Sequence, residues 1–157
     1  MDATSRHLDD IDWIPRYGFQ LRKAGVQFDA VRVDGDDGRR LADMMEAITG
    51  GDPGPIVREL NGRRGMYFLL PAGSTVRRSW PRAVVPFNAC SGRVSYVPVP
   101  ALAAHTWPLA WHFPPTEYGR FVHPLLLLNA ATVLFSDAVV RHQDLARIGF
   151  RLSVLEE

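Results

Sequence analysis

The segment FDAVRVDGDDGRRLADMMEAI, residues 28–48, predicts a strand followed directly by a helix. Phe28–Asp34 is rich in apolar and β-branched residues, as strands are. Gly35–Gly38 predicts a turn whose two acids are well placed at a helix start, where the helix dipole favours negative charge. Arg39–Ile48 predicts a helix because its apolar residues recur at helical spacing. These residues share one face: Leu41, Met44, Met45 and Ile48.

The middle of the chain predicts a series of short strands bounded by turn-forming residues. The expected strands are Ile56–Leu60, Met66–Leu70, Ala83–Ala89, Val94–Val99 and Trp107–Phe113. The first two are expected to pair as a hairpin across the turn Asn61–Gly65, and the third and fourth as a second pair. Strand–helix order followed by antiparallel strands predicts an α+β domain.

Both ends of the domain are predicted to be helical. Residues 1–8 are expected to be disordered, and residues 9–157 to form one domain that begins with a helix over Asp9–Ala24. His123–Arg141 predicts a C-terminal helix that is apolar on nearly every face. Such a helix is buried, either in its own domain or against a protein partner or second copy. In the second case the interface contains Leu127, Val133 and Leu134.

Composition limits the cellular setting. The chain has 157 residues, 46% of them apolar, which suits one ordinary domain. No apolar run reaches the length of a membrane span. The single cysteine, Cys90, excludes an intramolecular disulfide, and the acidic start is unlike a secretory signal. We therefore expect a cytoplasmic protein that does not enter a membrane.

Charge is distributed unevenly, although the formal net charge is only +1. No Asp or Glu occurs from Leu60 to Thr116. A basic segment of this kind can hold phosphate or nucleic acid, or its arginines can decorate the outer faces of strands. Trp80 is the aromatic expected to be exposed and able to stack on a base. Six arginines lie in the segment: Arg63, Arg64, Arg77, Arg78, Arg82 and Arg93.

No complete catalytic constellation is visible. The histidines share no metal-ligand spacing, and no serine has the G-x-S-x-G context. Four acids, Asp29, Asp34, Asp36 and Asp37, cluster at the end of one predicted strand and in its turn. Helix capping and turn solvation are favoured over a metal site, because the neighbouring strands offer no further ligands. We predict no catalytic residue, no metal and no cofactor, and lean towards a protein that is not an enzyme.

Several short motifs together resemble the primase–polymerase (prim-pol) domain of the archaeo-eukaryotic primase superfamily. They are VRVDGDDGRRLADMM at 31–45, IVRELNGRRGMYFLLPAG at 56–73, SGRVSYVPVP at 91–100 and LAWHFPP at 109–115. In that family a strand ends in an Asp-x-Asp dyad before a glycine turn and a helix. A Gly-x-His-x-Tyr-Phe-type strand and a strand with a third Asp follow. The layout is also similar to that of small actinobacterial proteins.

The chain departs from the prim-pol pattern at the positions that matter for catalysis. Arg32 stands where the first Asp of the dyad is expected, and only Asp34 remains. The family's histidine falls at Gly65 or Met66, and the third Asp near Phe87 or Asn88. Nucleotidyl transfer in that family depends on carboxylates that hold divalent metal. The resemblance therefore implies a degenerate member that has lost polymerisation.

Two functional hypotheses remain. In the first, the chain is a non-catalytic prim-pol-like module that binds nucleotide or nucleic acid through its basic middle. In the alternative, it is a regulatory module that docks on a protein partner through the C-terminal helix or the sheet. The expected binding residues of the first hypothesis are Arg32, Asp34, Arg63, Arg64, Arg78, Trp80 and Arg93.

Overall fold

The computed structural model describes residues 11–90 and 92–136. Within these residues the chain forms α+β architecture, as predicted, and every strand pair is antiparallel. The elements in chain order are β1 (Phe19–Lys23), β2 (Phe28–Val33), α1 (Gly35–Ile48), β3 (Ile56–Glu59), β4 (Met66–Pro71), β5 (Val85–Phe87), β6 (Tyr96–Pro100), β7 (Leu109–Phe113) and α2, which starts at residue 124 and continues to residue 136, the last one described.

Five strands form the central sheet in the order β5-β2-β4-β3-β7. Because β4 lies between β2 and β3 and is antiparallel to both, the unit β2–α1–β3 is a split βαβ arrangement. The remaining strands, β1 and β6, form a separate two-stranded sheet, which we call the ribbon.

The central sheet is covered on both faces. On one face, Leu41 of α1 and Leu127 of α2 share a buried cluster with Phe68 of the sheet. On the other face, the turn around Trp13 and the inner side of the ribbon, including Val97, pack against the sheet. Side chains of successive strand residues alternate between these two layers. Each fully buried leucine or phenylalanine contributes roughly 1.5–3 kcal/mol relative to exposure.

The predicted N-terminal helix over Asp9–Ala24 is wrong where the chain is described. Residues 11–18 form turns, and Phe19–Lys23 is strand β1. Gly18 has a φ of +56°, which ends any helix there, and its carbonyl oxygen accepts a hydrogen bond from the Ala101 amide at 2.8 Å. Pairing with β6 therefore replaces helical hydrogen bonding. Residues 1–8, predicted to be disordered, lie outside the described residues.

One predicted hairpin is confirmed and the other is wrong. In β3 and β4, Ile56 lies opposite Phe68, as the predicted hairpin requires. The runs Ala83–Ala89 and Val94–Val99 do not pair with each other: β5 joins β2 in the central sheet, whereas β6 joins β1 in the ribbon. The two strands belong to different sheets, β5 to the central sheet and β6 to the ribbon. Turn residues between two strands do not specify which sheet each strand joins.

Helix α2 begins at residue 124, one residue after the predicted start, and its described part has a buried and an exposed side rather than being buried all round. Leu127, Ala130 and Ala131 are buried. Leu125, Leu126 and Val133 are 51%, 38% and 54% exposed on the other side. The part of the predicted helix from residue 137 onward lies outside the described residues. Among the described residues, no helix is long and apolar enough to cross a bilayer.

Candidate functional site

Four polar side chains meet at one end of the central sheet, on the face opposite the helices. Arg32 lies near the end of β2, directly opposite Tyr67 on β4, and Glu59 ends β3. Asp34 follows β2 at the N-cap position of α1. Strand alternation explains the arrangement, because Val31 and Val33 point into the helix-side core and leave Arg32 on the other face. We call these four residues the Arg32 cluster.

The guanidinium of Arg32 is held by three partners. Its Nε donates to Asp34 Oδ1 at 2.7 Å, and its Nη1 donates to the Tyr67 hydroxyl at 2.7 Å. Its Nη2 lies 3.1 Å from Glu59 Oε1, and the Tyr67 hydroxyl donates to the same carboxylate at 3.2 Å. The Arg32 and Glu59 side chains are only 24% and 16% exposed. The two carboxylates are therefore neutralised in part by an internal cation.

Protonation in this cluster favours a structural role over acid–base chemistry. Burial and the Glu59 carboxylate raise the pKa of Tyr67 to about 12, against the opposing charge of Arg32. Burial disfavours the charge on Arg32, but its hydrogen bond to Asp34 and its attraction to Glu59, and to Tyr67 once that phenol ionises at high pH, outweigh this, so the pKa of Arg32 is raised. At neutral pH the phenol is neutral and the guanidinium is charged. Neither group is poised to exchange a proton near neutrality.

Gly65 leaves the space that the Arg32 guanidinium needs. A Cβ at position 65 would lie 2.7 Å from Arg32 Nε and 3.1 Å from Nη2. Side chains normally yield to such contacts, but three partners hold this guanidinium in place. Any side chain at position 65 therefore competes with the present position of Arg32.

A basic turn, residues 61–65, sits beside the Arg32 cluster and is fastened to α1. The Gly35 amide donates to the Arg63 carbonyl oxygen at 3.1 Å, and Arg39 Nη1 donates to the Arg64 carbonyl oxygen at 3.0 Å. The Arg63 side chain is exposed. The Arg64 side chain lies 3.5 Å from Asp36, and both are exposed, so this pair is weak. The backbone of the basic turn is fixed while its cations face solvent.

An exposed tryptophan lies next to the basic turn. The Leu60 amide donates to the Pro108 carbonyl oxygen at 2.8 Å, which brings Trp107 beside the end of β3. Trp107 is 69% exposed. Sequence reasoning selected Trp80 as the exposed aromatic, and this was wrong. Trp80 is half-buried against the core, and its indole Nε1 donates to the Thr75 carbonyl oxygen at 3.2 Å.

Two other predicted binding residues, Arg78 and Arg93, do not join this end of the sheet. Arg78 Nε donates to the Ser74 carbonyl oxygen at 2.6 Å, just after Pro71. Pro71 pairs with the first residue of β2, and Arg32 lies four residues farther along that strand, about 13 Å away. Arg93 is exposed in the loop after β5, a strand that runs away from Arg32.

The alternative that the arginines decorate strand faces is wrong. All six arginines of the acid-free segment lie in turns or loops rather than in strands. Most strand positions in this segment carry apolar side chains, many of which fill the two core layers. The arginines of this segment therefore lie in several separate turns and loops. Arg63 and Arg64 are beside the Arg32 cluster, whereas Arg78 and Arg93 are not, so these side chains do not form a single patch.

The fold separates Asp29 from the other three clustered acids of the sequence, which stay together at the start of α1. Asp29 is fully buried at the far end of β2, where its Oδ2 accepts hydrogen bonds from the Thr75 amide at 3.0 Å and hydroxyl at 2.7 Å. Asp34 bonds to Arg32 and makes no side-chain cap. Asp36 and Asp37 lie in the first turn of α1. They are at a helix start, as predicted, but the helix begins at Gly35 rather than Arg39, so the turn predicted over Gly35–Gly38 is helical. Within the described residues, no group of three or more His, Cys, Asp or Glu side chains could hold a metal.

The binding residues expected from the sequence did not include Glu59, Gly65, Tyr67 or Trp107. Glu59 has a visible signal, because it is the last acid before the acid-free segment. Tyr67 follows the position at which the prim-pol resemblance expects a histidine.

No protein-family model matches this chain, and no curated protein or solved structure shows significant similarity to it.

Proposed function

We propose that this chain is a non-catalytic, prim-pol-like module that binds nucleotide or nucleic acid through exposed cations of its basic middle. The observation that carries the proposal is the position of the Arg32 guanidinium between Asp34 and Glu59. The prim-pol resemblance expects metal-binding carboxylates at this strand end. In this chain a guanidinium neutralises the nearby carboxylates instead.

The Arg32 cluster disfavours metal-dependent catalysis on electrostatic grounds. A divalent cation would be repelled by Arg32 and would have to displace it from two carboxylates. The lack of a side chain at position 65 supports the same proposal, because a Cβ there would lie 2.7 Å from Arg32 Nε. The resemblance expects a histidine near that position, and a glycine there accommodates the guanidinium.

The basic turn supports the binding part of the proposal. Arg63 and Arg64 project from a backbone fastened to α1, so little ordering of the turn is needed on binding. Guanidinium groups form two parallel hydrogen bonds with phosphate oxygens. The adjacent, exposed Trp107 offers an aromatic face to a base. A phosphate-bearing ligand with a base suits these groups.

Fluorescence-anisotropy titrations with short single- and double-stranded DNA and RNA test this function. We expect binding that weakens as salt rises and is unchanged by magnesium, because the contacts are cation–phosphate contacts. The double variant Arg63→Glu/Arg64→Glu should lose most of this binding. Arg120→Glu is the matched control, since Arg120 is exposed and pairs with Asp52 elsewhere. Absence of binding by the unmodified protein at low salt would refute the proposal.

A second candidate function, self-association through α2, rests on the apolar side chains on its outer side. Leu125, Leu126 and Val133 are exposed there, whereas Leu127, proposed from sequence as an interface residue, is buried in its own core and unavailable. Leu134 is half-buried against that core. If a second copy covers this side, Val133→Asp should convert a dimer to a monomer in sedimentation analysis. A monomeric unmodified protein at high concentration would exclude this candidate.

A further inference from the structure

The outer face of the ribbon is exposed and partly aromatic. Directly opposed strand residues point to the same face. Val97 and Val99 face the core, so the alternate residues of β6 and their partners on β1 lie on the outer side. Of these β6 residues Tyr96 is exposed, Pro98 is half-buried and Pro100 is buried, so the open part of this side is formed mainly by Tyr96 and the β1 residues. On this outer face Phe19 is 44%, Leu21 59% and Tyr96 52% exposed. An apolar sheet face open to solvent indicates a binding surface.

Bases predominate in the two ribbon segments, although Asp12 lies beside Arg22 and Lys23 at one end. Residues 13–27 and 92–107 include both ribbon strands and their adjoining loops, and contain no Asp or Glu. They contain four bases, Arg16, Arg22, Lys23 and Arg93. Arg22 lies opposite the core-facing Val97 and donates its Nε to the Trp13 carbonyl oxygen at 2.9 Å, so it belongs to the inner side, and the other three are available to the outer side. Lys23 lies directly opposite Tyr96, and Arg16 and Arg93 are exposed. An apolar face surrounded by cations is complementary to a ligand that has both flat apolar groups and negative charge.

We propose that the outer face of the ribbon binds single-stranded nucleic acid by base stacking. Tyr96, Leu21 and Phe19 stand at successive outward positions along the ribbon, each about 7 Å from the next. This step is roughly twice the 3.4 Å rise of a stacked DNA strand, so an extended strand with separated bases can place one base on each side chain. The surrounding cations then face the phosphates. Aromatic stacking beside cations is a general means of binding unpaired strands.

The ligand must be single-stranded because the contact uses the faces of bases. In a duplex these faces are covered by neighbouring base pairs, and only phosphates and groove edges remain accessible. A neutral apolar protein surface would match the aromatic residues but would leave Arg16, Lys23 and Arg93 without complementary charge. A cavity of about 180 Å³ at one end of the ribbon is lined by Arg22, Lys23 and Asp12, so its charge is mixed and it adds no further cation to this surface.

This inference rests on the proposed function and adds a surface outside the basic turn. The test compares Phe19→Ala/Tyr96→Ala with Arg63→Glu/Arg64→Glu and with Tyr118→Ala, a control at a tyrosine that is 73% exposed elsewhere. The ligands are labelled oligothymidylate and an abasic strand of equal length. Circular dichroism and thermal melting establish that each variant is folded. Both substituted ribbon residues are exposed, so we expect them to fold normally.

We expect the ribbon variant to bind oligothymidylate about 5- to 150-fold more weakly for each lost stack. Its binding of the abasic strand should match that of the unmodified protein, because the phosphate contacts remain. Equal binding of oligothymidylate by the ribbon variant and the unmodified protein would overturn this inference and leave the proposed function standing. The same holds if the unmodified protein prefers duplex. If the unmodified protein binds neither strand at low salt, the proposed function and this inference both fail.

Discussion

At the scale of single residues, Arg32 governs the chemistry of the candidate site. Its guanidinium contacts Asp34, Tyr67 and Glu59, and it lies 5.2 Å from the centre of the Tyr67 ring. Removing one member of a partly buried ion pair leaves the other charge without compensation. The contacts are therefore mutually dependent, and two substitutions can test this directly.

The first prediction concerns Gly65 and Arg32 together. Gly65→Ala should lower the free energy of unfolding by about 1–3 kcal/mol, because the new Cβ collides with a guanidinium that cannot move freely. In an Arg32→Ala background the same change should cost much less, since the obstructing group is absent. Urea denaturation of the four proteins gives the coupling energy. Equal costs in both backgrounds would contradict the steric account.

The second prediction concerns the pH dependence of Tyr67. Because its pKa is raised from 10.0 to about 12, the folded state retains the phenolic proton longer than the unfolded state. This contribution to stability is fully present below pH 10 and is lost as pH rises towards 12. Ultraviolet titration of tyrosinate should show one late-ionising tyrosine. Tyr67→Phe should remove that step, and its persistence in this variant would assign it to another tyrosine.

At the scale of secondary-structure elements, β2 and α2 each present two different faces. In β2, Val31 and Val33 join the helix-side core, whereas Arg32 turns to the opposite face. In α2, buried and exposed apolar residues occupy different sides of the described part. Hydrophobicity alone therefore does not identify which side of α2 is available to a partner.

The third prediction separates the two sides of α2. Leu127→Ala should lower the free energy of unfolding by about 2–5 kcal/mol, because it leaves a cavity under a fully buried side chain. Val133→Ala should change it by no more than about 0.5 kcal/mol in the monomer. Chemical denaturation at low protein concentration measures both. Comparable losses for the two variants would show that Val133 is also enclosed under those conditions.

At the scale of the whole molecule, the fold distributes the basic residues over several places. The basic turn and the Arg32 cluster lie at one end of the central sheet, while Arg78 and Arg93 do not join them. The ribbon adds bases from the N-terminal part of the chain, which is acidic as a whole. Net charge by sequence segment is therefore a poor guide to surface charge.

The fourth prediction concerns the salt dependence of binding. For single-stranded DNA, Arg63→Glu/Arg64→Glu should make the slope of log affinity against log salt shallower by about 1 to 2. Each cation–phosphate contact that is lost no longer contributes its share of counterion release to binding. Addition of magnesium should act only through ionic strength. Anisotropy titrations at matched ionic strength, with and without magnesium, measure both effects. A specific requirement for magnesium would contradict the role assigned to Arg32.

Local patterns predicted the strand–helix unit of β2 and α1, the β3–β4 hairpin and the α+β class. These features depend on neighbouring residues and on short-range hydrogen bonding. The N-terminal helix was predicted wrongly because tertiary pairing of β1 with β6 outweighed the apolar spacing of that segment. The partner of β5 was also predicted wrongly, since strand partners depend on layers formed by residues distant in sequence.

The sequence by itself determined the distribution of charge along the chain and the closeness of Arg32 to Asp34. It also determined the strand β2 and the helix α1 between which these two residues lie. Only the tertiary structure decided that Glu59 and Tyr67 complete the Arg32 cluster, that Trp107 rather than Trp80 is exposed, and that the ribbon has an open outer face. The physical reason is that strand pairing brings together residues far apart in the chain. Which residue meets which depends on the register of the paired strands and on the face of the sheet to which each side chain points. Both are fixed by the burial of apolar side chains throughout the core.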